Sequence, residues 1–116
     1  MPGVRSLLQA SAAAVVSLVL AGTAASSAAT NSAPKAYKVI MLVVGFDPSA
    51  LTVKPGDKVT FVNNDLFPHT ATADDKSFDS KSVAPAATWT YVAGKPGTHT
   101  YVCIFHPNMK GTIKVQ

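Results

Sequence analysis

The sequence predicts an all-β domain, either a β-sandwich or a barrel. Short alternating or apolar runs recur along residues 30–116, and none of them repeats with the period of an amphipathic helix. Turns that contain proline and glycine separate these runs. Short strands with regularly placed turn signals are typical of sandwiches and barrels.

The first three predicted strands are residues 37–44, 51–53 and 59–62. They are rich in valine, isoleucine, threonine and phenylalanine, which favour strands. The second and third flank Lys54-Pro55-Gly56-Asp57, where proline followed by glycine fits a type II turn.

Four further strands are predicted at residues 70–73, 88–92, 98–103 and 111–116. The second of these carries the only tryptophan, and Gly94-Lys95-Pro96-Gly97 marks the turn before the third. In the last strand, Ile113 and Val115 share one face. Residues 74–87 are the least regular part of the domain and are predicted to form a surface loop.

Residues 1–29 have the layout of a secretory signal peptide. Arg5 gives a positive start, no charge follows until Lys35, and small residues crowd positions 24–29, which places cleavage at about 25–30. The alternative is an uncleaved membrane anchor, because the uncharged stretch could span a bilayer. Its serine, threonine and alanine content favours cleavage. We therefore expect a signal peptide at 1–29, one domain at 30–116, and a periplasmic or secreted bacterial protein.

The domain has a single cysteine, Cys103, and so cannot form an internal disulfide. In an exported protein this requires an explanation, either metal ligation or a buried, inert side chain. The domain also has nine lysines, six aspartates and no arginine. Scattered lysines without arginine indicate a solvated surface and argue against nucleic-acid binding.

Cys103, His106 and Met109 follow one another at three-residue steps between two predicted strands. His69 supplies a second imidazole from a separate strand end. Two histidines, one cysteine and one methionine are the ligands of a blue-copper site, a set that suits both Cu(I) and Cu(II). We expect His106 and Met109 to lie on a tight turn after Cys103 and to fold back toward the ion.

Each of these residues alone has a simpler interpretation. Met109 could fill a gap in the core, and His69 could be an ordinary loop histidine. Their combination favours the four-ligand site. His99 shares a strand face with Cys103 but lies about 13 Å from it along a strand, so it is interpreted as structural. A thiol nucleophile would lack an orienting partner, and structural zinc seldom takes methionine.

The chain resembles the cupredoxins, in particular their small amicyanin- and plastocyanin-like members. The resemblance covers residues 46–116 and depends on Leu-Thr-Val-Lys-Pro-Gly-Asp-Lys-Val-Thr-Phe-Val-Asn-Asn (51–64), Pro68-His69-Thr70, Ser77-Phe78-Asp79-Ser80 and the ligand run that follows Gly97. It implies a Greek-key β-sandwich of about eight strands with one type 1 copper ion at one end. It also implies that the ion is bound by His69, Cys103 and His106, with Met109 as the weak axial ligand.

The resemblance implies further details of the surroundings. The backbone amide of Thr70 donates to the sulfur of Cys103, and the edge of His106 reaches the surface inside an apolar patch. The rim of that patch is expected to contain Phe67, Pro68, Pro107 and Met41. Thr70 stands where relatives often have an asparagine that ties the two ligand loops together, and threonine is expected to make at best a shorter bond there.

These features predict a blue-copper protein that carries single electrons by Cu(I)/Cu(II) cycling. It is not expected to be an enzyme, because four protein ligands leave no open position for a substrate. The expected partners are redox proteins, such as a cytochrome c or a periplasmic dehydrogenase. Nucleic acid, stable membrane insertion after cleavage and oligomerisation are not expected. The alternative is a periplasmic copper-binding or copper-delivery protein of metal homeostasis.

Overall fold

The computed structural model describes residues 33–116 and four single positions before them, 3, 14, 17 and 22. The predicted signal peptide at 1–29 therefore lies outside the described residues except for those four positions. Every regular element from residue 33 onward is a strand. No helix in the described part of the chain is long and apolar enough to cross a membrane.

Eight strands form two four-stranded sheets. The strands are β1 (Ala36–Leu42), β2 (Gly45–Asp47), β3 (Ala50–Val53), β4 (Lys58–Asn63), β5 (Thr72–Ala73), β6 (Thr88–Val92), β7 (Gly97–Cys103) and β8 (His106–Val115). The first sheet has the order β2-β1-β4-β6 and the second the order β3-β8-β7-β5. β1 pairs in parallel with β4, and β3 with β8. The predicted all-β sandwich is confirmed.

The predicted strands are present, but several of their boundaries differ. The first ends at Leu42, because the turn at Val43 and Val44 leads into β2, a strand that was not predicted. The expectation that His106 and Met109 lie on the turn after Cys103 is wrong, since the turn consists of Ile104 and Phe105 alone. His106 and Met109 lie instead in β8, which begins at His106.

Residues 74–87 are irregular, as predicted, but they are not wholly a surface loop. Phe78, Ser80 and Val83 are buried and cover one side of the core. The segment is fastened through two isolated bridges, which pair His69 with Val83 and Thr72 with Asp79. Because of the first bridge, this irregular segment also helps to position His69.

Aromatic side chains form a packed cluster within the core. The buried ring of Tyr101 lies 4.6 Å from Phe46, 5.5 Å from Phe61 and 5.7 Å from Phe78 between ring centres. On the neighbouring strand, Gly111 stands directly opposite Tyr101. A β-carbon at Gly111 would lie 2.2 Å from the Cζ atom of Tyr101, so the ring occupies the space where a side chain would otherwise project.

The side chains of β7 alternate between core and solvent. His99, Tyr101 and Cys103 are all buried, because residues two apart on a strand face the same side. The hydrophobic core that fixes Tyr101 therefore also fixes the direction of Cys103. This places the sulfur inside the sandwich, at the end where β7 turns into β8.

Candidate metal centre

The fold brings three of the four predicted ligands together. The sulfur of Cys103 and one ring nitrogen each of His69 and His106 all lie within 4.8 Å of one another. Cys103 and His69 are fully buried, whereas His106 is exposed. The Nδ1 atom of His69 lies 3.6 Å from the sulfur, and the two imidazole rings are 5.2 Å apart between centres.

Local strand geometry positions each of these side chains. Cys103 ends β7 and is paired directly with His106 at the start of β8, across the turn at Ile104 and Phe105. The strand register shifts between Val102, which is opposite Lys110, and Cys103, which is opposite His106, so residues 107–109 of β8 stand opposite no residue of β7. His69 approaches from a separate loop and is held by two backbone hydrogen bonds with Val83, of 3.2 and 2.8 Å.

Thr70 connects the two ligand segments. Its backbone N–H donates to the Cys103 sulfur at 3.3 Å, as the family resemblance implied. Its hydroxyl accepts a hydrogen bond from the backbone N–H of Ile104 at 3.0 Å and is 3.0 Å from the hydroxyl of Thr72. Threonine is thus long enough to tie the loops here, because the turn after Cys103 passes directly beside it.

The environment of Cys103 favours a thiolate. Burial raises the pKa of this thiol, but the Thr70 amide, the two imidazoles and the amide of Phe105 outweigh burial and lower the pKa to about 7. For His69, burial lowers the pKa, while hydrogen bonds to Asp65 and Cys103 raise it above its ordinary value. A thiolate beside two imidazoles is a donor set for a soft or borderline metal ion.

One residue of the site was not predicted. The carboxylate of Asp65 lies 2.6 Å from the Nε2 atom of His69, on the side of the ring that faces away from Cys103. The sequence held only a weak signal for it, a carboxylate four positions before the histidine. That spacing becomes informative only when the loop conformation is known.

Met109 and His99 occupy different environments. Met109 is 1% exposed on the inner face of β8, and it borders a shallow depression that also contains His106 and Phe105. Its role as axial ligand remains a prediction. His99 lies outside the three-residue cluster, and its ring nitrogens face Asp75 and the carbonyl of Lys95. This agrees with the structural interpretation of His99.

Apolar side chains are exposed at the end of the sandwich where His106 reaches the surface. Because β1 and β4 run parallel with Met41 beside Asn63, the segments that follow them leave the same end of the sheet. We call the exposed residues of this end the apolar patch: Val43, Val44, Leu66, Phe67, Ile104 and Phe105. Of the expected rim residues, Phe67, Pro68 and Pro107 are exposed, but Met41 is fully buried in the core and the expectation for it is wrong.

The residues present fit a copper ion. A thiolate and two imidazoles are ligands that both Cu(I) and Cu(II) accept. The 3.6 Å between the Cys103 sulfur and His69 Nδ1 can be spanned by one ion with ordinary metal–sulfur and metal–nitrogen bonds of about 2.3 and 2.0 Å. The amide of Thr70 and the carboxylate of Asp65 already orient the sulfur and one imidazole.

Known protein families and relatives are similar to this chain over most of its length. The family described as Cupredoxin-like domain matches residues 11–115. Plastocyanin from Scenedesmus fuscus is 37% identical, over 61% of this chain and 86% of its own length. Amicyanin-alpha from Methylorubrum extorquens is 27% identical, over 97% of this chain and 99% of its own length.

Solved structures of copper proteins also superpose on this chain. A reduced amicyanin variant superposes with a TM-score of 0.63 at 27% identity, covering 75% of this chain and 88% of that one. The copper-containing nitrite reductase from Thermus scotoductus superposes with a TM-score of 0.66 at 30% identity, over 73% of this chain but only 23% of the reductase. The histidine–cysteine–histidine cluster supports one type 1 copper ion. Together with the eight-stranded sandwich and the family match, it shows that this chain belongs to the cupredoxin-like family.

Proposed function

We propose that this protein is an exported type 1 copper protein that carries single electrons between redox partners. The observation that carries the proposal is the position of the cluster. The thiol and one imidazole are fully buried, while the other imidazole, that of His106, reaches the surface beside the apolar patch. When bound, copper supplies one-electron chemistry by alternating between Cu(I) and Cu(II).

The residues around the site suit that role. We propose His69, Cys103, His106 and Met109 as the four ligands. The hydrogen bonds made by Thr70 and Asp65 hold two of these side chains in place. Ligands that are held in this way have little to rearrange between two oxidation states. Four protein ligands would also leave no open position for a substrate, so we propose a carrier and not an enzyme.

The apolar patch is the proposed docking surface for the redox partners. Neither residues 66–69 nor residues 104–109 include a charged side chain. A partner that covers these residues would contact the exposed edge of His106 directly. Small apolar contacts suit short-lived encounters, which a carrier needs because it must release each partner after transfer. A cytochrome c or a periplasmic dehydrogenase would fit this description.

The proposed location is the periplasm or the exterior of a bacterium, with the protein as a monomer. The location rests on the signal-like composition of residues 1–29.

The experiment that tests the proposal is spectroscopy of the copper-loaded protein. The Cu(II) form should show an intense visible sulfur-to-copper band and a narrow hyperfine splitting in its EPR spectrum. The Cys103→Ser variant should lose the band, because the thiolate that gives rise to it is gone, and should keep the strand signature in circular dichroism. A colourless wild-type protein after copper loading would contradict the proposal.

A second experiment separates electron transfer from copper delivery, which the exposure of His106 would also suit. An electron carrier should retain copper against a chelator and exchange electrons rapidly with a small redox protein. A copper donor should instead pass Cu(I) to an acceptor. Ready loss of copper combined with slow electron exchange would favour delivery.

A further inference from the structure

The two ring nitrogens of His69 face different partners. Its Nδ1 atom faces the Cys103 sulfur at 3.6 Å, and its Nε2 atom faces a carboxylate oxygen of Asp65 at 2.6 Å. The ring is fully buried, and the side chain of Asp65 is only 13% exposed. Water therefore has little access to the Nε2 atom, and Asp65 is the hydrogen-bond partner that the structure gives it.

The carboxylate is held in place by its own loop. The buried side chain of Asn63 accepts a hydrogen bond from the backbone N–H of Asp65 at 2.9 Å and donates to the carbonyls of Phe67 and Val83 at 2.8 and 2.9 Å. The other carboxylate oxygen of Asp65 accepts from the N–H of Leu66 at 2.7 Å. These contacts set the direction of the carboxylate independently of the histidine.

This arrangement determines which nitrogen of His69 carries the proton. A carboxylate can only accept, so the hydrogen bond requires a proton on Nε2. In the neutral imidazole, which is the form that binds a metal, Nδ1 then carries the lone pair on the side of Cys103. The carboxylate of Asp65 accepts hydrogen bonds from this N–H and from the N–H of Leu66, as an ionised carboxylate does. An ionised acceptor makes the imidazole a stronger electron donor toward a metal.

We infer that Asp65 is a positioning residue of the copper site. It directs Nδ1 of His69 toward the ion and stabilises Cu(II) relative to Cu(I), so that it lowers the reduction potential. The sign follows from electrostatics, because a nearby negative charge stabilises the more highly charged ion by the larger amount. The inference rests on the proposed function, since it presupposes copper in this cluster.

The test compares reduction potentials of copper-loaded variants. Asp65→Asn keeps an acceptor for the Nε2 proton but removes the charge. We expect the ratio of Cu(II) affinity to Cu(I) affinity to fall about tenfold, which is a rise in potential of about 59 mV for one electron. Asp47→Asn is the matched control: it removes the same charge from an exposed position on β2 and should move the potential far less.

A second variant tests the orienting role. Asp65→Ala leaves the buried Nε2 proton without an acceptor, so copper should be lost to a chelator about ten to a hundred times faster than from Asp65→Asn. In the Cu(I) form, NMR should show the Nε2 proton of His69 protected from solvent exchange in the wild type and unprotected in Asp65→Ala.

The outcomes are distinguishable. If the wild type is blue and Asp65→Asn shifts the potential no more than Asp47→Asn, the tuning role of Asp65 is wrong while the proposed function stands. Equal copper retention in Asp65→Ala and Asp65→Asn would overturn the orienting role. A wild type that is colourless with copper would overturn both the proposed function and this inference.

Discussion

At the scale of single residues, the site depends on the contacts that hold its ligands. The hydroxyl of Thr70 accepts a hydrogen bond from the N–H of Ile104, in the turn that follows Cys103. Thr70 thereby ties that turn to the segment that carries His69.

The hydroxyl of Thr70 can be tested by Thr70→Val, which keeps the shape of the side chain and removes the acceptor. The N–H of Ile104 then loses its partner, and we expect the free energy of unfolding to fall by about 1–2 kcal/mol. Denaturant titration of the copper-free protein measures this. Thr70→Ser should recover most of the loss, and a Val variant as stable as the wild type would show that the tie contributes nothing.

The ligands could be predicted better than the residues that hold them. Cysteine, histidine and methionine indicate a soft-metal site by their chemistry, so Cys103, His69 and His106 could be predicted. The position of Thr70 suggested a bond between the ligand loops but not its partner Ile104, and the role of Asp65 was not predicted. Both contacts depend on how a loop folds back.

At the scale of elements, most strands could be predicted but two features of the site end could not. Alternation identified β3, β4, β6 and β7 to within about one residue. It missed the start of β8, because His106, Pro107 and Asn108 have weak strand preferences, and of these three only His106 is paired with β7. It also missed β2, whose three residues are too few to show a period.

The hairpin of β7 and β8 places Cys103 opposite His106, and the contact between Tyr101 and Gly111 is part of the same hairpin. Gly111→Ala should therefore lower the free energy of unfolding by about 1–3 kcal/mol, because the new methyl group would overlap a ring that packed aromatic neighbours prevent from moving. Chemical denaturation measures the change. Gly94→Ala is the control, since nothing lies within 4 Å of its added carbon. Equal stabilities of the two variants would contradict the steric argument.

At the scale of the whole molecule, a histidine that can change its protonation state also lies far from the metal centre: His99, near the end of β7 that is remote from Cys103. Both ring nitrogens of His99 face acceptors: Nδ1 lies 2.5 Å from the Asp75 carboxylate and Nε2 lies 2.8 Å from the carbonyl of Lys95. Both nitrogens are satisfied as donors only when the ring is protonated. The Lys95 carbonyl and then Asp75 accordingly raise the pKa of His99 above its ordinary value.

The stability contributed by His99 should therefore depend on pH. It is fully present below the ordinary histidine pKa of about 6.5 and is lost as pH rises through the raised pKa of the folded state. We expect His99→Gln to cost about 1–3 kcal/mol of unfolding free energy at pH 5.5 and less at pH 8.5. Denaturation at several pH values would show it. Asp75→Asn should weaken the same pH dependence, whereas Asp74→Asn should not, and a constant difference between wild type and His99→Gln would contradict the assignment.

The complete burial of Cys103 has a consequence for what happens after unfolding. In the native protein the only thiol of the chain is shielded from oxidants and from other chains. Once the chain opens, the sulfur is exposed, and two unfolded molecules can join through an intermolecular disulfide that no native contact can accommodate. Heating in air should therefore inactivate the protein irreversibly, at a rate that increases with concentration, while a reductant should restore refolding. Cys103, the residue that identifies the site, would then also limit how long the protein stays active during storage.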